Sequence, residues 1–299
     1  MSNKKLLLAL ASAVLVLGSC TNSSDGQDEQ PKYITVSTEI GSMTRLTTDA
    51  SGRQAFSDGD EISVYAWTGD PAAPAAGARV VDNAINQLTN QKWTATPQML
   101  WKNMTDLHYF IGIYPKTATP VADLTAGAFT LDASNQEASD LLVAVRNEGL
   151  TASQNPVALT FNHVMARLVV NLQFRNQWGG TPTVEAVKVA GMASEATVNY
   201  LAQTVKPAAS AARADLALPA QKANEQYVSI VIPQDGITTI AVRIGGKDYI
   251  YTHPSDIKLE SGKYTTVNLI VGRNEIELGS VAIDDWTEGT TIDGGEALD

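Results

Sequence analysis

Short runs of alternating apolar and polar side chains recur along most of this chain. From Tyr33 to Ile40 the order Tyr-Ile-Thr-Val-Ser-Thr-Glu-Ile puts Ile34, Val36 and Ile40 on one face and Thr35, Ser37 and Glu39 on the other. A period of two is that of a strand with one face buried. The same alternation groups Leu168, Val170, Leu172 and Phe174 on a second predicted strand, Val228, Ile230 and Ile232 on a third, and Ile240, Val242 and Ile244 on a fourth. The fourth meets Gly245-Gly246 and then Lys247-Asp248-Tyr249-Ile250-Tyr251. That order predicts a tight hairpin, because both turn positions need positive φ and glycine adopts it without steric cost.

Few segments carry the apolar stripe and caps of a helix. The alanine-rich stretch from Ala208 to Ala223 allows a turn or two of helix, limited by Pro207 and Pro219. Many short strands with few helices predict an all-β chain of sandwiches. At 299 residues the chain exceeds the usual size of one domain. The pattern breaks at Thr151-Ala152-Ser153-Gln154-Asn155-Pro156, so a first sandwich is expected over residues 32–153 and a second over 154–299. The loose stretch from Gly69 to Gly77 reads as a surface loop inside the first.

The N-terminal end has a different pattern. Lys4 and Lys5 precede a purely apolar or small run from Leu6 to Leu17, followed by Gly18-Ser19-Cys20. A short basic region, a brief apolar stretch and small residues make a secretory leader, expected over residues 1–19. Leu17-Gly18-Ser19-Cys20 resembles the bacterial lipobox, which implies cleavage between Ser19 and Cys20 and acylation of the Cys20 sulfur. Residues 20–31 are polar and acidic with almost nothing to bury, and read as a flexible tether. Cys20 is the one cysteine, so an internal disulfide is excluded.

The formal net charge is −11, and it becomes more negative if Lys4 and Lys5 leave with the leader. Such a surface repels nucleic acid, and no basic stripe interleaved with aromatics offsets it. Catalytic patterns are also missing: His108, His163 and His253 are far apart in sequence, none in a metal-ligand spacing, and no nucleophile elbow or phosphate loop occurs. No cofactor or metal is predicted. Asp58-Gly59-Asp60 reads as a turn opening a strand, since hard cations need more carboxylates than it supplies.

Several segments together resemble one family. Phe56-Ser57-Asp58-Gly59-Asp60-Glu61-Ile62-Ser63-Val64-Tyr65-Ala66 is similar to the F-x-x-G-D-x-I-x-V-Y-A segment of fimbrillin-like proteins, the type V pilins of anaerobic Gram-negative bacteria. Trp101 followed by Tyr109 to Pro115 resembles the next block, in which a strand ends in Y-P. Leu159 to Leu168 resembles L-x-F-x-H-x-x-A-x-L, and Gly262-Lys263-Tyr264 and Ile283 to Gly289 resemble G-K-x-Y and I-x-x-W-x-x-G, with Trp286 reading as a core or edge anchor.

The resemblance implies two tandem transthyretin-like β-sandwiches, export as a lipoprotein to the outer membrane, and assembly with other fimbrial subunits by strand exchange, with a host or bacterial surface ligand as a further partner. It also implies that a trypsin-like protease releases the first strand by cutting between Arg45 and Leu46, with Arg53 in reserve. The donated strand is then expected near Ile276 to Trp286. The short polar tail after Trp286 departs from a long free donor and suggests a tip or accessory subunit. The alternative is a glycan-binding surface lipoprotein presenting Trp67, Trp93, Trp101, Trp178 or Trp286 to sugar rings.

Overall fold

The computed structural model describes residues 32–41, 55–132, 134–135 and 138–285. Over these residues the chain is nearly all β, in four sheets. The strands of its first part are β1 (Val36–Ile40), β2 (Glu61–Thr68), β3 (Arg79–Thr89), β4 (Lys92–Thr96), β5 (His108–Tyr114), β6 (Gly127–Thr130), β7 (Leu142–Leu150) and β8 (Val157–His163). Then follow β9 (Ala166–Phe174), β10 (Val184–Ala193), β11 (Glu195–Asn199), β12 (Thr204–Pro207), β13 (Arg213–Ala217) and β14 (Ala220–Lys222). The last are β15 (Gln226–Val231), β16 (Thr239–Ile244), β17 (Lys247–Thr252), β18 (Lys263–Val271) and β19 (Ile276–Asp285).

The largest sheet has seven strands in the order β1-β8-β7-β5-β2-β3-β4. Its central strands are buried on both faces, which is why β5 and the middle of β2 read as continuous apolar runs instead of alternating. One face carries Tyr65, Trp67, Ile111 and Val143 into a core that also holds Ala196, Val198 and Val205. Those last three come from the three-stranded sheet β12-β11-β6. On the other face, Ile62 and Val64 of β2 share a core with Val36 of β1, Leu159 and Phe161 of β8, and Trp93 of β4. The sheet curls far enough for its two edge strands to serve one core. Gly112 makes room for this: a Cβ there would lie 2.6 Å from the Phe161 ring.

A third core lies between the sheets β14-β15-β9-β18-β19 and β13-β10-β16-β17. Leu168, Val170 and Leu172 of β9 meet Val187, Ile240 and Val242 there. The hairpin expected at Gly245-Gly246 is present, with φ of 56° and 75° and Ile244 paired to Lys247.

Strand pairing crosses the boundary expected at residues 153 and 154. That position joins β7 to β8, which are neighbours in one sheet, and β8 is the partner of β1. Further on, β11 pairs with β6. The two halves of the chain therefore interlock: β8 completes the first sheet, and the β11–β12 hairpin leaves the second half of the chain to cover it. The helical turn allowed for Ala208 to Ala223 is replaced by β13 and β14, because the exposed edges of β10 and β15 supply backbone partners that outweigh alanine's helix propensity.

Candidate functional site

The first strand sits at one edge of the seven-stranded sheet, parallel to β8, in register from Val36 opposite Val157 to Ile40 opposite Phe161. Its face alternates as the sequence requires. Ile34 is 2% and Val36 7% exposed, whereas Ile40 is only partly buried. The ends are pinned by further bonds. Asn155 Oδ1 accepts the Thr35 amide at 2.9 Å, and the Gly41 amide donates to the Phe161 carbonyl at 2.7 Å. Thr160 Oγ1 donates to Glu39 Oε1 at 2.7 Å.

Ahead of β1, the chain also touches the far side of the sheet. Tyr33 and Leu100 form an antiparallel bridge, with the Ile34 amide 3.0 Å from the Met99 carbonyl and the Trp101 amide 3.3 Å from the Lys32 carbonyl. Beyond this closure β1 and β4 diverge, leaving a groove of about 690 Å³ whose lining includes Val36, Ile40, Phe56, Leu88, Lys92 and Trp93. Phe56 meets Trp93, Tyr114 and Phe161 edge-on, at centroid distances of 5.4, 5.5 and 5.1 Å. These contacts gather aromatic residues from three motif segments around the seat of β1.

The site is thus an edge strand held by one strand partner, two buried side chains and side-chain ties. An edge offers unpaired backbone groups to another strand, and the two deep sockets give such pairing its side-chain selectivity. The roles of Val157, Leu159, Phe161 and Trp93 in this seat were not read from the sequence. The alternation from Val157 to Phe161 was the available signal, but a period of two names a face without naming the neighbouring strand.

At the other end, β19 is also an edge strand, antiparallel to β18. A bulge at Gly279 lets Leu278 pair with Leu269 while Ser280 pairs with Asn268. Ile276, Leu278, Val281 and Ile283 thereby share the face of the buried Val267, Leu269 and Val271. Yet Leu278 is 37% and Ile283 39% exposed, so this apolar row is only half covered in its own chain.

The other singled-out residues have structural settings. Asp60 Oδ2 accepts the Ser57 amide at 2.7 Å, Asp58 Oδ2 accepts the Asn90 amide at 3.0 Å, and Gly59 has φ +97°, so Asp58-Gly59-Asp60 is a turn. His108 is fully buried. Its Nε2 accepts the Lys102 amide at 3.0 Å while Nδ1 lies 2.9 Å from the Asp106 carbonyl, and burial pushes the imidazole below its ordinary value. His163 lies buried beside Asp140, and His253 is next to Ser255. The three histidines thus stand in separate settings. Trp67 and Trp101 are core residues, Trp93 lines the groove, and Trp178 packs on Phe174 and Tyr249 with Nε1 donating to the Val271 carbonyl at 2.9 Å. The leader, the tether, Ser19, Cys20, Arg45, Leu46, Arg53 and Trp286 lie outside the described residues.

A family model described as fimbrillin-like matches residues 44–286 of the chain. Among solved structures, a candidate cell adhesion protein from Bacteroides ovatus is similar with a TM-score of 0.65 and 20% identity, covering 87% of this chain and 99% of that one. A fimbrial protein from Bacteroides vulgatus is similar at 0.55 and 13%, covering 86% and 100%. The C-terminally truncated tip fimbrial protein Mfa3 from Porphyromonas gingivalis is similar at 0.51 and 10%, covering 85% and 99%. At such identities the likeness is one of fold. A comparison with curated proteins finds no match.

Proposed function

The chain belongs to the fimbrillin-like family, and on that footing we propose that it is a cell-surface fimbrial subunit whose β1 is cut away and replaced by a strand from another copy. The seat of β1 carries this reading. Refilling the Ile34 and Val36 sockets would return roughly 3–6 kcal/mol, at about 1.5–3 kcal/mol per aliphatic side chain. Ile40, partly exposed, adds less. The strand leads at Gly41 toward Arg45, the arginine expected to be cut. The half-covered row of Ile276, Leu278, Val281 and Ile283 is the donor this reading favours, and its present pairing with β18 must open first. A donor already held within its own sheet suits a tip or accessory subunit better than a stalk subunit.

The proposal includes export as a lipoprotein anchored in the outer membrane through acylated Cys20, two transthyretin-like sandwiches, and a host or bacterial surface ligand. The packed settings of Trp67, Trp93, Trp101 and Trp178 favour the fimbrial reading over a sugar-binding face. To test the strand exchange, a labelled peptide spanning residues 274–286 is mixed with intact and with trypsin-trimmed subunit. Binding to the trimmed form alone supports the proposal. Equal binding to both, or to neither, counts against it.

A further inference from the structure

The crossing between the two sandwiches encloses three buried titratable side chains. Asp140 lies just before β7, His163 ends β8, and Arg167 is near the start of β9; they are 4%, 8% and 6% exposed. His163 Nδ1 lies 2.7 Å from Asp140 Oδ1. Burial pushes the Arg167 guanidinium down to about 10, and the nearby Asp140 carboxylate and Tyr264 phenol oppose that shift. Asp140 therefore contacts the histidine that ends β8, and its negative charge acts on the buried arginine of β9, on the other side of the crossing.

The backbone around them is clasped from both sides. The Val164 amide donates to the Leu141 carbonyl at 3.1 Å, the Gly262 amide to the Met165 carbonyl at 2.9 Å, and Ser261 Oγ to the Val164 carbonyl at 2.6 Å. Leu159 and Phe161, before the crossing, belong to the curled core of the first sheet, while Ala166 and Leu168, after it, belong to the second sandwich. Arg167 pairs across the sheet with Ile230, which packs into the core beneath the first sheet.

We infer that Asp140, His163 and Arg167 form a joint that makes the two sandwiches unfold as one cooperative body. The crossing is then a coupler, not a linker. In a filament this would let tension pass through the subunit without parting the sandwiches; that use rests on the fimbrial reading, whereas the coupling itself does not. The physical ground is that removing one partner of a buried charge pair strands the other in low dielectric, whereas removing both charges costs less.

The test is urea denaturation of the full chain, with amide hydrogen exchange read separately for β2 and β5 and for β16 and β18. In the wild-type protein both sets lose protection at one midpoint. Asp140→Asn separates the midpoints by about 1 M urea or more, and Asp140→Asn with Arg167→Gln brings them back together. Parted midpoints in the wild type, coincident midpoints in Asp140→Asn, or a double variant as parted as the single one would overturn the joint. If Asp140→Asn does not fold, a folded double variant supports the inference and an unfolded one refutes it.

Discussion

Trp93 Nε1 donates a 2.9 Å hydrogen bond to Thr38 Oγ1, and so ties the last strand of the seven-stranded sheet to the first. Strand pairing alone does not join those two edges along the groove, so a side chain spans it. The indole also meets Phe56 edge-on, which braces the tie against the core.

Trp93→Phe keeps most of the packing and deletes the donor. The expected cost is about 1–2 kcal/mol, from one lost hydrogen bond and a small void. The more specific outcome is local: amides of Val36 to Ile40 exchange faster, while those of β5 are unchanged. Hydrogen exchange by mass spectrometry checks this, and equal acceleration in both strands would mean that Trp93 stabilises the whole sheet and not the seat of β1.

A fragment of residues 32–153 keeps β1 but lacks β8, its partner, and the β11–β12 hairpin that covers Tyr65, Trp67 and Ile111. It is expected to expose that apolar face, bind a hydrophobic dye and aggregate. A soluble, monomeric fragment with cooperative unfolding would contradict the interlocking of the two halves of the chain.

Gly262 has φ +70°, and a Cβ on it would stand 3.0 Å from the His163 carbonyl oxygen. Gly262→Ala is therefore expected to cost about 1–3 kcal/mol and lower Tm by several degrees. Gly245 also has positive φ, +56°, but nothing lies within 4 Å of its would-be Cβ, so Gly245→Ala bears the backbone cost alone and is expected to be milder. Thermal denaturation of both variants decides it; a milder Gly262→Ala would remove the steric role assigned to the His163 carbonyl.

These contrasts show what could be read in advance. One-sided strands were legible where one face stays wetter: Ile240, Val242 and Ile244 are the buried positions of β16, and the glycine hairpin has its expected φ signs, whereas Val228 and Ile230 fall in β15, which is buried on both faces. The first strand was placed with its buried Ile34 and Val36, although regular pairing begins only at Val36. Partner choice was not legible. Nothing in the period of residues 195–199 announces that they pair with residues 127–130, because such pairing is decided by which apolar face needs cover. For the same reason a break in the pattern at residues 151–156 suggested a domain boundary where the structure has a connection within one sheet. The seat of β1 was half legible: the strand was, whereas β8 beneath it and Trp93 beside it were not.

Limited trypsin digestion of the folded protein, followed by N-terminal sequencing and sizing, bears most directly on assembly by strand replacement. The expected result is a cut after Arg45, loss of the segment carrying Ile34 and Val36, and a ladder of multimers, all abolished in Arg45→Ala. A chain cut at Arg45 that stays monomeric with β1 still seated on β8 would contradict it.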